Sequence, residues 1–398
     1  MCSRGAQVDT VLLSSHHRTL SSKHEERMAR QTSHPITLHT LFLLLTIFLL
    51  STPTLCTPSP KKKDCYKTVK PNQSIQAALT AAKKGDTITV EAGTYTEYLT
   101  ISKSDITLIG KPGAKLVSPS TPPSKPNPCT GLAEVNGTKV DAGICIHGKN
   151  VVLDVYKPEL QHRKFISVEQ RVKNVVVSGL TIQGYQGINV AVVAGSNVRV
   201  KHNTLLDGGQ YGFLSVGSKD TLAAHNAVKS SAGLLGIAMC MDDYTSAEFS
   251  NNDIAGYFIA LCTQTARGVV KKNTVKQCCI GPFVDPGIVG ARVIENTVRD
   301  RNPACPPGEK SVGAGIVLLG ARDTIVKRNV VEGIRSGGFG VGVFISDDAA
   351  TGEKATGNVV QGNRLKDNDL DVLSVAAGAN TVQGNTCGSG LPPGDMCQ

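Results

Sequence analysis

The sequence predicts an all-β fold, a solenoid of stacked parallel coils, on the basis of three observations. A short pattern, apolar-x-x-Asn-x-apolar, returns about nine times between residues 174 and 387. Its successive anchor residues are 21 to 34 residues apart, a period typical of units that bury their apolar faces only by stacking. Between the anchors lie further strand-like segments, such as GFLSVG at 212–217 and GIVLLG at 315–320. Each coil is therefore predicted to hold about three short strands, in about ten to twelve coils.

The anchor of the repeat is almost always Asn. The anchors are Leu180, Asn203, Asn226, Asn252, Asn273, Asn296, Asn329, Asn363 and Asn385. Asn tolerates left-handed backbone geometry at turns, and its amide can bond the backbone and identical residues in adjacent coils. We therefore interpret the Asn series as a structural ladder and not as an active-site row.

The first 56 residues are predicted to be a leader with a signal peptide. Residues 41–50 form an apolar run that is too short to span a bilayer and is typical of a signal peptide. The 40 residues before this run are long for a signal, so Met28 is an alternative start, and a signal anchor is the alternative to cleavage. Residues 57–64 are predicted to be a linker, and residues 65–398 to form the solenoid domain.

An amphipathic helix is predicted before the repeats. Ile75, Ala78, Leu79 and Ala82 lie on one face of a helix, and Ser74 is suited to be its N-cap. The sequence then alternates as a strand at 87–90. A helix in this place would cover the open apolar end of the first coil.

Charge and cysteine content indicate an extracellular protein. Removal of residues 1–56 leaves a net charge of 37 − 29 = +8 and ten cysteines. Secretion would allow these cysteines to pair, and Asn72 and Asn136 begin glycosylation sequons. The chain lacks Trp and any compact Lys/Arg block with interleaved aromatic residues, which argues against nucleic acid and leaves acidic polysaccharide as a partner. We expect a secreted monomer without stable membrane insertion.

The cysteines fall in positions that suggest pairs without fixing them. Cys129 and Cys145 bound a Pro- and Ser-rich excursion, while Cys240 and Cys262 occupy the same slot of adjacent strands, where they could pair or merely stack. The remaining candidates are Cys278 or Cys279 with Cys305 in an insertion, and Cys387 with Cys397 at the tail. Connectivity stays open at this level.

The capping helix, the segment AGTY at 92–95 and the Asn repeats resemble the pectin-lyase-like superfamily over residues 66–390. This resemblance implies a single-stranded right-handed parallel β-helix with an N-terminal capping α-helix. It implies no one activity, because the superfamily includes polysaccharide lyases, glycoside hydrolases, pectin esterases, uronate epimerases and non-catalytic surface proteins. The segment GTYTE at 93–97 matches an element of pectin methylesterases and Asp242-Asp243 matches a pair of polygalacturonases, but the other catalytic elements of both families, and the pectate-lyase segment, are absent.

Repeat geometry predicts a site at turns that carry carboxylates. Asp242, Asp243 and Asp285 stand at such turns, with Thr265 on the coil between, so Asp242 and Asp285 would lie roughly 10 Å apart on one side. Three carboxylates could hold Ca²⁺, which takes six to eight oxygen ligands. In lyases of similar fold, calcium and a Lys or Arg together acidify and remove the proton next to a uronate carboxylate. The nearest basic candidates are Arg267, Lys271 and Lys272. The alternative is that Asp is frequent in turns because it bonds the local backbone.

Two further groups depart from the plain repeat. Asp347-Asp348 forms a second acidic turn within insertions at 302–311, 334–340 and 347–354, and such insertions often build a binding face. His202 and His225 precede anchors on adjacent coils, where they would be either an acid–base pair or part of a polar ladder.

These observations favour a carbohydrate-active enzyme, lyase-like first and glycoside hydrolase second. The alternative is a non-catalytic extracellular or cell-wall carbohydrate-binding protein that keeps only the scaffold. An Asp and a Lys or Arg within about 6 Å in a stacked groove would favour the enzyme. A groove lined only by Ser, Thr and Asn would favour the binding protein.

Overall fold

The computed structural model describes residues 66–231, 233–306 and 313–398. The predicted signal peptide, the alternative start at Met28 and the linker 57–64 lie outside these residues. Three long parallel sheets run the length of the described chain, and successive strands pass from one sheet to the next. No described helix is long and apolar enough to cross a membrane.

Each coil contributes at most one strand to each sheet, and the first and last coils are incomplete. The first sheet contains Tyr66–Val69, Thr87–Val90, Thr107–Gly110, Val176–Ser178, Arg199–Lys201, Leu222–Ala224, Glu248–Ser250, Val269–Lys271, Arg292–Ile294, Ile325–Lys327, Val359–Gln361 and Thr381–Gln383. The second contains Gly93–Thr96, Ala114–Val117, Thr181–Gln183, Thr204–Leu206, Ala227–Lys229, Asp253–Ala255, Thr274–Lys276, Thr297–Arg299, Val330–Glu332 and Arg364–Lys366. The third contains Leu99–Ile101, Ala142–His147, Ile188–Val193, Tyr211–Val216, Leu235–Asp242, Tyr257–Thr263, Ile280–Val284, Ala314–Leu319, Val341–Ser346, Leu370–Ser374 and Gly390–Leu391. The predicted three strands per coil and the predicted fold class are confirmed.

The register places equivalent residues of successive repeats in columns. Val200 pairs with Val177 on one side and Ala223 on the other, and all three are buried. These are the apolar residues three positions before each anchor, so the period seen in the sequence is the period of the stack. The same interior column continues through Phe249 and Val270.

The Asn anchors form the predicted ladder between the first and second sheets. The Oδ1 atom of Asn226 accepts hydrogen bonds from the backbone N–H of Asn203 at 3.0 Å and from its side-chain amide at 3.2 Å. The Nδ2 atom of Asn226 donates in turn to the carbonyl of Val200 and to Oδ1 of Asn252. The same pattern runs on to Asn385, so each buried amide satisfies polar groups of the neighbouring coils.

The left-handed residue of each corner is the one before the anchor and not the anchor Asn itself, although Asn tolerates this geometry. The non-glycine residues that precede an Asn anchor have φ between +54° and +57°: His202, His225, Asn251, Lys272, Glu295 and Arg328. The rings of His202 and His225 stack with centroids 4.8 Å apart, and both side chains are exposed. They lie in the polar row that the repeat predicts; an acid–base role for them stays a prediction.

The capping helix spans Ile75–Ala81 and buries Ile75 and Leu79 against the first coil. Ser74 is its N-cap, accepting the N–H of Ala77 at 3.0 Å. The carboxylate of Glu97 accepts the N–H of Ile75 at 2.8 Å, where a negative charge favours the helix N-terminus. The esterase-like segment at 93–97 therefore has a structural use here.

The third sheet is buried on both faces, which explains its uninterrupted apolar strands. Val190 and Val192 face the interior core, whereas Ala191 and Val193 belong to a second apolar cluster on the outer face. The excursions at 118–141 and 148–171 supply residues such as Leu153 to this cluster. They contain the short pairs Glu134–Val135 with Thr138–Lys139 and Val152–Leu153 with Phe165–Ser167, and a 3₁₀ turn at Pro158–Leu160. A further short pair, Val172–Lys173 with Gly195–Ser196, follows the second excursion.

Disulfides link the positions that the sequence suggested. The pairs are Cys129–Cys145, Cys240–Cys262, Cys279–Cys305 and Cys387–Cys397. Cys278 is a buried free thiol among the described residues, so Cys279 is the partner of Cys305.

Candidate functional site

Three polar residues line up along one edge of the third sheet, where its strands end. Asp242 pairs in register with Val216 of the preceding coil. Because Met241 pairs with Thr263 and Thr263 with Val284, the residues that follow Asp242 in its column are Gln264 and Asp285. We call Asp242, Gln264 and Asp285 the carboxylate edge. The predicted spacing of the two Asp residues, two coils apart on one side, agrees with this register, but Gln264 and not Thr265 lies between them.

Two side chains from the second excursion close over this edge. The Nζ atom of Lys164 lies 3.1 Å from Oδ2 of Asp242 and also donates to Oε1 of Gln264. Nε2 of His162 lies 3.0 Å from the same Asp242 oxygen. The amide of Gln264 donates to Oδ1 of Asp285 at 3.1 Å, so one continuous network joins the two carboxyl groups.

The buried imidazole of His162 is neutral. Burial and the nearby charge of Lys164 lower the pKa of His162 to about 4, although the hydrogen bond with Asp242 opposes them. Nε2 therefore carries the proton that is donated to Asp242, and Nδ1 accepts from the hydroxyl of Tyr211 at 3.0 Å. His162 orients Asp242 by a hydrogen bond, while Lys164 supplies the charge.

The two carboxyl groups differ in protonation. Burial alone would raise the pKa of Asp242, but the charge of Lys164 and the bonds from His162 and Lys164 outweigh it and hold the pKa well below the ordinary value. Burial raises the pKa of Asp285 to about 7, only partly offset by Lys164 and Gln264. Near neutral pH, Asp242 is ionised and Asp285 retains much of its proton.

Asp285 is placed to hold that proton on one particular oxygen. Its Oδ1 atom accepts from Gln264, whereas Oδ2 lies 3.4 Å from the sulfur of Cys262, which belongs to a disulfide. Asp285 is 4% exposed, while the side chains of Asp242 and Lys164 are 15% and 22% exposed. The network is therefore buried at one end and open to solvent at the other.

Asp243 turns away from this edge and joins a second, shorter ladder. Its Oδ1 atom accepts the N–H of Ser218 at 3.1 Å, and its own N–H donates to Oγ1 of Thr265 at 2.7 Å. Ser218 in turn accepts the N–H of Gly195 at 3.0 Å. Burial raises the pKa of Asp243 to about 6, despite bonds that favour the charged form. Asp243 thus occupies a place that a neutral Asn would fill as well.

We expect the Asp243→Asn variant to be more stable than the wild type at pH 7 and equally stable near pH 4. The folded pKa of about 6 exceeds the ordinary 3.8, so the carboxyl stabilises the fold below pH 4 and loses this contribution as the pH rises through 6. Two pKa units correspond to about 3 kcal/mol at most. Denaturant unfolding of both chains at the two pH values measures the difference.

Other outcomes of the Asp243→Asn unfolding experiment would change the interpretation of Asp243. A gain that is the same at both pH values would show that protonation of Asp243 is not linked to folding. A wild type stabilised by Ca²⁺, with the effect lost in Asp243→Asn, would support the predicted calcium site. Asp253→Asn, which alters an exposed Asp paired with Lys229, is the matched control.

The predicted basic residues lie on other parts of the coil. Lys271 ends a first-sheet strand and its Nζ atom lies 3.0 Å from Glu248, while Lys272 is in the corner beyond and pairs with Glu295 at 3.7 Å. Arg267 has a left-handed backbone in the turn before that strand. The described ion pairs and hydrogen bonds join none of their side chains to the carboxylate edge; the base role of all three stays a prediction.

The acidic turn at 347–348 is largely occupied by local bonds. Asp347 pairs with Lys354 at 3.0 Å, and Asp348 accepts the N–H of Thr351 at 3.1 Å. The side chain of Glu353 in this insertion lies next to Gly287, two residues after Asp285, which places the insertion beside the carboxylate edge. The charge of Asp348 contributes to the raised pKa of Asp285. The described residues contain no group of three or more His, Cys, Asp and Glu side chains arranged to hold a metal ion. Calcium binding stays a prediction.

No protein-family model matches this sequence, and no curated protein matches it either. Solved structures match in three dimensions. The catalytic unit of a GH87 α-1,3-glucanase from Streptomyces thermodiastaticus strain HF3-3 gives a TM-score of 0.50 at 15% identity, covering 80% of this chain and 62% of that chain. PfbA, a surface adhesin of Streptococcus pneumoniae, gives 0.50 at 15% identity, covering 78% and 84%. The fold is a right-handed parallel β-helix.

A further match, the Family 28 exopolygalacturonase of Yersinia enterocolitica, gives a TM-score of 0.49 at 16% identity, covering 81% of this chain and 72% of that chain. At such identities the likeness is one of fold alone. An enzyme and an adhesin share this β-helix, so function has to be argued from the carboxylate edge.

Sequence reasoning missed the residues that complete this edge. His162 and Lys164 lie in the excursion between two coils, where no repeat gives their position. Gln264 could have been found, since strict alternation along the strand from Cys262 places it on the same face as that cysteine. The observed pair of Lys164 and Asp242 meets the distance that favours an enzyme.

Proposed function

We propose that this β-helix is an extracellular polysaccharide hydrolase whose reaction centre is the carboxylate edge. The observation that carries the proposal is that Asp242 and Asp285 lie in one network but in different environments. Lys164 and His162 contact Asp242, whereas Gln264 contacts the more deeply buried Asp285. A carboxyl pair whose environments push the pKa values apart is the arrangement that general acid–base cleavage needs.

The roles follow from the two environments. Asp285 donates its proton to the leaving glycosidic oxygen as the bond to the anomeric carbon breaks. Asp242 accepts a proton from the water whose oxygen attacks that carbon. Lys164 and His162 keep Asp242 ionised and oriented, and Gln264 orients Asp285. The main chains of the two Asp residues are two steps of the stack apart, about 10 Å, and Lys164 and Gln264 link their carboxyl groups. Inverting glycosidases hold their two carboxyl groups farther apart than retaining ones, so we expect inversion at the anomeric carbon.

The substrate class follows from charge and compartment. Without the predicted leader, residues 1–56, the chain carries a formal net charge of 37 − 29 = +8, which favours a polyanionic polysaccharide over a neutral one. The disulfides agree with a secreted protein.

A calcium-assisted lyase is the second candidate, favoured by the contact of Lys164 with Asp242 at 3.1 Å. Lys164 is better placed for the base role than Arg267, Lys271 or Lys272. The two reactions give different products, because a lyase leaves an unsaturated sugar and a hydrolase adds water.

Incubation of the purified protein with polygalacturonate, alginate, a sulfated galactan and neutral glucans, each with and without Ca²⁺, tests the proposal. New reducing ends without ultraviolet absorbance of an unsaturated product are the expected result, and proton NMR should show the inverted anomer first. Unsaturated product formed only with Ca²⁺ would contradict the hydrolase proposal and support the calcium-assisted lyase. No cleavage of any substrate, together with retained binding, would leave the non-catalytic carbohydrate-binding protein.

A further inference from the structure

A surface cavity of about 970 Å³ opens at the turns of the early coils. Its walls are residues 102–105, 147–151 and 170–174, together with Lys84 and Pro128. These segments follow two third-sheet strands or lead into the first sheet. Its volume is at the upper end of that found in small-molecule sites, enough for a short oligosaccharide.

The lining is strongly basic. It contains the cations Lys84, Lys103, Lys149, Arg171 and Lys173 but only one carboxylate, Asp105, so its formal charge is 5 − 1 = +4. Polar side chains for sugar hydroxyls, such as Ser102 and Gln170, complete the wall.

Carboxylates neutralise only part of this charge. Lys84 lies 3.5 Å from Asp105, and Lys149 pairs with Glu169. Lys103, Arg171 and Lys173 form no ion pair within the described part of the chain. Lys103 donates instead to the carbonyls of Thr80 and Ala82, which orient the ammonium group without cancelling its charge.

Arg171 is the most firmly positioned of these cations. Its guanidinium donates to the carbonyls of Gly195 and Gly217 and lies over the ring of Phe165, 5.4 Å from the centroid. Burial lowers the pKa of Arg171, although the charge of Asp243 opposes this. A half-buried, pre-positioned guanidinium outside any ion pair is well suited to bind an anionic ligand.

The cavity lies on the same edge of the third sheet as the reaction centre. Register places His147, which lines the cavity, in one column with Val193, Val216 and Asp242. Three steps of the stack amount to about 14 Å. Arg171 bridges part of this gap, because the residue that accepts its bond, Gly217, donates its own N–H to the carbonyl of Asp242.

We infer that this cavity is a subsite for the anionic group, carboxylate or sulfate, of an acidic polysaccharide that extends along the edge to Asp242 and Asp285. The inference rests on the proposed function for the direction of the chain, but anion binding itself can be measured without cleavage.

The experiment is calorimetric titration of the full chain carrying Asp285→Asn, so that no ligand is consumed. The probes are an oligogalacturonate, a sulfated galactan oligosaccharide and the methyl-esterified oligogalacturonate of the same length. The cavity variant combines Lys84→Gln, Lys149→Gln and Lys173→Gln, all at exposed positions. The control combines Lys115→Gln, Lys201→Gln and Lys276→Gln, which remove the same charge from exposed sites of the other sheets.

We expect the cavity variant to lose about tenfold or more in affinity for the charged oligosaccharide, and the control less than about threefold. The methyl ester should bind far more weakly than the free acid, and the better of the two charged probes identifies the anionic group. Equal losses in both variants, equal binding of the ester, or no binding of either charged probe would overturn the inference. Cleavage without cavity-dependent binding refutes the subsite alone, and binding without cleavage by the wild type refutes the hydrolase alone.

Discussion

Asp285→Asn lowers kcat on the cleaved polysaccharide by about 10²–10⁴-fold, the usual contribution of a general acid. The carboxyl holds its proton up to about pH 7 because it is buried, and Asn has no proton of comparable acidity to give. The fold should survive, since the Asn carbonyl can still accept the bond from Gln264 and no charge is buried. Initial rates of reducing-end release and thermal unfolding of the variant measure both statements. Asp253→Asn is the control and should keep wild-type activity.

The pH profile separates this role from a merely structural one. The acid must be protonated, so wild-type activity should fall as the pH rises through about 7. Asp242 is ionised across the accessible range, so no acidic limb is expected. Lys164→Met removes the charge that lowers the pKa of both Asp residues. In the Lys164→Met variant, the loss of activity at alkaline pH should therefore move to higher pH. A loss of activity at acidic pH, where Asp242 becomes protonated, should also appear. Normal activity of the Asp285→Asn variant would contradict the assignment of Asp285 as the general acid. So would a pH–activity profile that Lys164→Met leaves unchanged.

The stack of coils could be predicted from the sequence because every coil must satisfy the same physical requirements: its apolar residues must be buried and its buried polar groups must be paired. The apolar columns and the Asn ladder satisfy the same need at each step, so their period is visible without any structure. The two excursions lie outside the repeat, so no periodic pattern predicts the positions of their residues. They bury the outer face of the third sheet and deliver His162 and Lys164, but only contacts formed after folding decide where those side chains lie.

The candidate site shows the same division between repeat and exception. The position of each residue within its repeat was enough to predict that Asp242 and Asp285 lie on one side of the stack. It was not enough for Asp243, since neighbouring residues at a strand end point to opposite faces and Asp243 faces the ladder. Lys271 and Lys272 were close in sequence to the acidic turns, but the chain had already passed into the first sheet and its corner. Residues that are close in sequence are not close in space once the chain has turned from one sheet into the next.

Asn273→Ala should cost about 2–6 kcal/mol of the free energy of unfolding, a large part of the 5–15 kcal/mol typical of a domain. Oδ1 of Asn273 accepts from the N–H and the amide of Asn252, at 3.0 and 2.9 Å. Its Nδ2 donates to the carbonyl of Phe249 and to Oδ1 of Asn296, at 2.9 and 3.0 Å. Alanine removes the partner of the Asn252 N–H and of the Phe249 carbonyl, at about 1–3 kcal/mol for each one that water does not reach. The amide of Asn252 keeps its bond to Ala223, and Oδ1 of Asn296 keeps the backbone N–H of residue 273. Chemical denaturation measures the loss, and Lys276→Ala at an exposed site should stay within about 0.5 kcal/mol.

Asn273→Asp distinguishes the ladder explanation from simple loss of packing, since it keeps the size of the side chain. The carboxyl can still accept from Asn252, but once ionised it donates to neither Phe249 nor Asn296 and buries a charge. Its pKa should be raised by burial, as that of Asp243 is in the shorter ladder. Stability lost through a raised pKa is small at low pH and grows as the pH rises through it, so Asn273→Asp should approach the wild type near pH 4 and fall well below it at pH 7. A deficit that did not change with pH would mean that the amide matters for its shape and not for the proton it donates.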